Sequence, residues 1–167
     1  MKTLLIIRHA KSSWDDASIS DVDRPLNDRG KRDAPAMAKR LIKAGIDIDR
    51  FVSSPAKRAR QTAELFVREY GGKEKKIRFV PDLYHAAQPV FEAVVDGLDD
   101  GDDTVAVFSH NPGITAFVNT LTTAVKLDNM PTCGVFVTKS DCKHWKDFRS
   151  SGPQFGFFDH PKAEGRD

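Results

Sequence analysis

Cysteine is scarce in this sequence: only Cys133 and Cys142 occur among 167 residues, and their spacing fits neither a metal-ligand set nor a redox pair. This argues against a disulfide framework, and both thiols are expected to be reduced, as in a cytoplasmic protein. No apolar run approaches the roughly 18 residues of a membrane span. The first residues hold one lysine, a strand-length apolar stretch and then Arg8, without the longer apolar region and small-residue cleavage site of a secretion signal. An excess of charge of one sign is missing as well, since 26 Lys and Arg face 24 Asp and Glu for a net charge of +2. Nothing in that balance calls for a polyanion, and the aromatic residues do not interleave with the basic ones as they do in single-strand binders. Neither a nucleic-acid nor a membrane partner is expected.

What is present is alternation. Apolar strand-like runs take turns with helix-like segments, a pattern that predicts an α/β fold, a three-layer α/β/α sandwich with a mostly parallel central sheet. The length fits one domain, residues 1–167, with a frayed tail from about 162. Strands are predicted near 3–8, 50–53, 77–80 and 104–108. Between them, helices are predicted over 30–43, from Ser54-Pro55 to about Tyr70, over 90–98 and over 114–123. Asn27 is read as the N-cap of the first helix, whose inner face is Ala34, Met37, Ala38, Leu41 and Ile42. Ser54 and Pro55 are read as cap and first turn of the second. Lys73–Lys76 reads as a solvated basic loop. Beyond Val135, short strands at 135–138, 144–149 and 155–158 predict antiparallel additions to the sheet. Trp14 and Trp145 are both assigned to packing.

The chemistry gathers at predicted strand ends. Leu4-Leu5-Ile6-Ile7 runs into Arg8-His9, and Val105-Ala106-Val107-Phe108 runs into Ser109-His110. Open α/β sheets build their sites beyond the carboxyl ends of strands, so the two imidazoles are expected to converge. A neutral imidazole attacks phosphorus well, and an adjacent guanidinium can hold the phosphoryl oxygens with paired hydrogen bonds. The strand end at Ser53 leads into a helix carrying Lys57, Arg58 and Arg60. Neighbouring helical positions lie about 100° apart, so one or two of these can face a shared pocket. Each element alone also fits a structural role, a histidine capping its strand or a solvated basic helix face; their coincidence points to phosphate.

The stretches Arg8-His9-Ala10-Lys11-Ser12, Ser54-Pro55-Ala56-Lys57-Arg58-Ala59-Arg60-Gln61-Thr62 and Ser109-His110, with Asp23-Arg24-Pro25-Leu26-Asn27-Asp28-Arg29-Gly30, resemble the signatures of the histidine phosphatase (phosphoglycerate mutase-like) superfamily, in its order. The short chain and its opening motif most resemble the SixA-type phosphohistidine phosphatase branch. The resemblance implies a phosphatase in which His9 is the nucleophile, while Arg8, Arg58 and His110 grip the phosphoryl oxygens without metal or cofactor. It departs from the wider pattern at Ala10, where glycine is frequent, and at His85, which stands where relatives carry a proton-donating carboxylate. His85 is therefore a candidate proton shuttle. Asp15, where relatives commonly carry asparagine, is a candidate for orienting Arg8 or Arg58.

The missing carboxylate favours an easy leaving group, since the P–N bond of a phosphorylated imidazole is labile while an alkoxide depends on protonation. The expected substrate is a phosphohistidine on a protein. The alternatives are a small phosphate ester, handled by a broad phosphomonoesterase, and a phosphate-binding or phosphorelay-partner module without turnover. A monomer is expected.

Overall fold

The structure, a computed structural model, describes residues 1–72 and 76–163. The basic loop read at Lys73–Lys76 and the tail read from 162 therefore fall mostly outside the described residues. Six strands form one sheet: β1 (Lys2–Arg8), β2 (Arg50–Ser53), β3 (Ile77–Phe79), β4 (Thr104–Ser109), β5 (Val135–Ser140) and β6 (Gln154–Asp159), in the order β3-β2-β4-β1-β5-β6. The first four are mutually parallel, and β5 and β6 add antiparallel. Two helices cover each face, α1 (Asp28–Lys43) and α2 (Lys57–Glu69) on one, α3 (Gln88–Asp96) and α4 (Gly113–Leu121) on the other.

Successive strand side chains point to opposite faces, and the central strands bury both. Leu5 and Ile7 of β1 pack with Met37, Leu41 and Phe66 of α1 and α2. Leu4 and Ile6 pack with Phe91 and Phe117 of α3 and α4. Each such side chain withdrawn from water contributes roughly 1.5–3 kcal/mol. The expected sandwich is thus present, its sheet mostly parallel with antiparallel C-terminal strands.

Asn27 caps α1 as expected, its side chain accepting from the Gly30 N–H at 2.9 Å. Ile42, read as part of the inner face, is 42% exposed. The Ser54-Pro55 start of α2 is corrected: the helix begins at Lys57 behind Ala56. Ser54 still belongs to the sheet ladder, its N–H donating to the Phe108 carbonyl at 3.0 Å. The strand read at 144–149 is instead a short 3-10 turn, Trp145–Asp147. The Trp145 indole N–H donates to the Asp102 carbonyl at 2.7 Å, and its main-chain N–H donates to Asp100 at 2.8 Å, which folds the segment against the loop before β4. Both tryptophans pack as read, Trp145 in the core and Trp14, 72% exposed, on the surface against the Arg24 guanidinium. Both cysteines are free thiols. Among the described residues, no helix is long and apolar enough to cross a membrane.

Candidate active site

Register brings the two histidines together. Arg8 of β1 lies opposite Ser109 of the parallel neighbour β4, so the next residue of each strand leaves the sheet beside the other. The rings of His9 and His110 stand 5.2 Å apart between centroids. The His9 main chain is pinned on both sides, its N–H donating to Ser109 at 3.1 Å and its carbonyl accepting from Cys133 at 3.0 Å. One strand further out, β2 ends at Ser53 opposite Phe108, which places Ser54 against His110. Helix α2 is fastened to the end of β1 by Thr62, whose hydroxyl accepts from the Ala10 N–H at 3.0 Å and donates to the Arg58 carbonyl at 2.7 Å. That contact sets Arg58, one helical turn earlier, beside the histidines.

A hydrogen bond assigns the tautomer of His9. His9 Nδ1 lies 2.7 Å from the Ala10 carbonyl. A carbonyl can only accept, so Nδ1 carries the hydrogen and Nε2 keeps its lone pair. His110 Nε2 lies 2.8 Å from Ser54 Oγ, which itself accepts from the Ala56 N–H. The serine can give its own proton to Nε2, and in that arrangement His110 carries its hydrogen on Nδ1, the nitrogen that meets no protein partner among the described residues.

Both arginines are held at their outer ends. Arg8 Nη1 donates to the Met130 carbonyl at 2.9 Å, which also accepts from Asn111. Arg58 Nη1 donates to the Asp21 carbonyl at 2.7 Å and Nη2 to the Asp21 carboxylate at 3.1 Å. Left over in the site, buried and without a partner among the described residues, are Arg8 Nε, Arg58 Nε and His110 Nδ1. A buried donor left unmade costs about 1–3 kcal/mol. Three of them around an imidazole lone pair match the oxygens of a phosphoryl group.

Electrostatics keep the imidazoles neutral. Burial, followed by the neighbouring cations, pushes His9 down from 6.5 to about 3, against the pull of its bond to Ala10. Burial and then Arg58 push His110 to about 3 as well. Burial and then Arg58 lower Arg8. Two consequences follow for pH. An attacking His9 must be unprotonated, so kcat/KM for a substrate that does not itself titrate should stay level through pH 6.5 and fall only near 3. An acid limb at 6.5 would contradict this. Stability runs the same way: the unfolded chain binds these protons near 6.5 and the folded chain near 3, so the melting temperature loses this contribution as pH drops from 6.5 toward 3.

The expectation for Asp15 is corrected by the geometry. Its side chain is exposed and meets neither arginine; among the described residues only its main-chain N–H is engaged, to Ser13 Oγ. The carboxylate on Arg58 is Asp21, which also accepts from the Tyr84 hydroxyl at 2.6 Å and from Arg24 Nε at 3.2 Å. Tyr84 first, and then Arg58, hold Asp21 well below the usual carboxylate range. Asp21, Tyr84, Ser54 and Thr62 were missed as site residues, although Asp21 stands only three residues before Arg24 in a quoted motif. His85 is exposed, stacks on Tyr84 at 3.9 Å and makes no hydrogen bond among the described residues. Lys57 is half-buried, and Arg60 pairs with Glu64. Among the described residues, no group of three or more His, Cys, Asp or Glu side chains gathers that could hold a metal ion.

The family model of the histidine phosphatase superfamily (branch 1) matches residues 4–84. The structure of the protein histidine phosphatase SixA complexed with tungstate superimposes with a TM-score of 0.80, at 25% identity, covering 95% of this chain and 97% of that one. The chain belongs to the histidine phosphatase superfamily. Within it the fold is of the SixA type, and the protein is a phosphatase. A chloroplastic protein of Arabidopsis thaliana described as uncharacterized is 30% identical over 162 residues, 91% of this chain and 73% of its own length. An uncharacterized protein of Mycobacterium tuberculosis is 31% identical over 151 residues, 84% of this chain and 90% of its own. In this histidine phosphatase the motif residues His9, His110, Arg8 and Arg58 all meet at one place, at the carboxyl ends of β1, β2 and β4.

Proposed function

We propose that this phosphatase removes the phosphoryl group from phosphohistidine on a protein, through two in-line displacements and without a metal. The observation that carries the reading is the His9 Nε2 lone pair beside three buried donors with no protein partner. In the first step Nε2 bonds to phosphorus as the P–N bond to the substrate imidazole breaks; that ring, protonated on its other nitrogen, departs neutral. In the second, water bonds to phosphorus, the bond to His9 breaks and the water's proton passes to solvent, releasing phosphate and neutral His9. Arg8, Arg58 and His110 hold the three non-bridging oxygens throughout, so their donors already point where charge develops. His85, exposed beside Tyr84, is the candidate for exchanging protons with solvent.

Two observations support a P–N substrate. Asp21 is committed to Tyr84, Arg58 and Arg24 and stays ionised, which unfits it to protonate an alkoxide. The similar SixA structure is that of a protein histidine phosphatase. The test compares kcat/KM for a phosphohistidine-bearing protein with that for alkyl phosphates. Phosphohistidine is expected to lead by on the order of 100-fold or more, about 2.7 kcal/mol at the transition state. Faster hydrolysis of the alkyl esters would reassign the substrate to small phosphate esters. Tight phosphate binding with no turnover of either would make the protein a binding module.

A further inference from the structure

A second concavity lies beside the phosphoryl site, between the turn that leads into α3 and the start of α4. Its volume is about 300 Å³, and its walls include His85, Ala87 and Gln88 on one side and Asn111, Pro112 and Ala116 on the other. We propose that this cavity is the leaving-group subsite, and that it takes the aromatic ring from which the phosphoryl group is removed. The proposal rests on the phosphatase reading and adds to it where the departing group sits and what chemistry it has.

Continuity with the catalytic histidines places the cavity. Asn111 follows His110 directly. From the other side a run of rings leads outward from the nucleophile: His9 to His110 at 5.2 Å, His110 to Tyr84 at 5.7 Å and Tyr84 to His85 at 3.9 Å. The His85 wall thus stands three ring contacts out from the nucleophile, on the path by which a group bonded to phosphorus would leave.

The walls are built rigidly. Ser109 Oγ donates to the Leu83 carbonyl at 2.8 Å, tying the turn to β4. Gly113 abuts the Ala86 carbonyl so closely that any side chain there would collide with it. Asn111 accepts from Thr115 and donates to the same Met130 carbonyl that holds Arg8, so one wall and one phosphate-gripping arginine share an anchor. His85 itself adopts φ 57, a left-handed conformation that is unfavourable for a residue with a side chain and that orients its ring along Tyr84.

Size and chemistry select the occupant. A cavity at the small end of ligand pockets accepts one ring rather than a large metabolite. Alanine and proline supply apolar surface for the faces of a ring. His85 and the Gln88 amide, which has no hydrogen bond among the described residues, supply polar groups for a ring nitrogen.

Ala87 and Ala116 are exposed, so Ala87→Leu and Ala116→Leu fill the cavity without entering the core. Each variant is assayed with phosphohistidine, p-nitrophenyl phosphate and phosphoramidate, the last carrying no group to fill the cavity. Because excess methylenes in a fitted pocket discriminate by about 10-fold or more, KM for the two ring-bearing substrates should rise by about that factor while phosphoramidate changes by less than about twofold. Equal changes for all three substrates, or none in either variant, would overturn the subsite and leave the phosphatase standing. If the unaltered enzyme instead ignores phosphohistidine, yet p-nitrophenyl phosphate shows the selective loss, the cavity stands and the phosphohistidine reading falls.

Discussion

The His9→Ala variant is expected to lose turnover by on the order of 10⁴-fold or more while keeping its affinity for inorganic phosphate or tungstate. The two halves of that result come from different atoms. On the proposed mechanism turnover needs the Nε2 lone pair, which alanine removes. Binding of an oxyanion is expected to rest on Arg8 Nε, Arg58 Nε and His110 Nδ1, which alanine leaves in place. The sheet should survive, because His9 is anchored through its main chain to Ser109 and Cys133. Steady-state assays with calorimetric phosphate titration check both halves. Retention of most activity would remove His9 from the nucleophile's place.

The second large effect belongs to Arg58. Arg58→Ala should lower kcat/KM by about 10²–10³-fold, the usual cost of deleting a donor from a preorganised oxyanion site. Lysine should rescue little, because the guanidinium performs two tasks at once: its outer nitrogens hold Asp21 while Nε is left for the phosphoryl group. Arg58 also helps lower both histidines, so its removal should move the acid limb of kcat/KM upward from about 3, though burial still holds it below 6.5. Asp21→Asn should give a milder loss, since the main-chain carbonyl at 21 still accepts from Arg58. An Arg58→Lys enzyme with near-full activity would show that a simple positive charge suffices.

How much of this was legible in the sequence depended on the range of the interactions. Leu4–Ile7 and Val105–Phe108 announce buried strands because both sheet faces are covered, and the side chains say so by being apolar without interruption. The meeting of His9 and His110 follows from the parallel register of β1 and β4, which a strand-end histidine in each already suggests. Asn27 was readable as a cap because its partner lies three residues away. Asp21 was not, because the partners that place it in the site, Arg58 and Tyr84, are 37 and 63 residues distant, and its local contact with Arg24 does not tell it from the neighbouring aspartates. Asp15 drew the expectation instead, from its place in a family pattern. Trp145 failed as part of a strand because its indole is fixed by a carbonyl 43 residues away. Ser54 looked like a helix cap, a role its residue type favours, yet the sheet claimed its backbone and His110 its hydroxyl. Local chemistry was readable; long-range hydrogen bonds that override it were not.

During turnover a phosphoryl group is expected to rest covalently on His9. Rapid quenching into alkaline denaturant, with a phosphohistidine substrate radiolabelled in its phosphoryl group, followed by peptide mapping at alkaline pH, is the measurement. The expected result is a burst of labelled protein whose bond is labile in acid and stable in alkali, as a phosphorylated imidazole is, located at His9 and missing in His9→Ala. Steady turnover with no labelled enzyme, or label on any other residue, would contradict it.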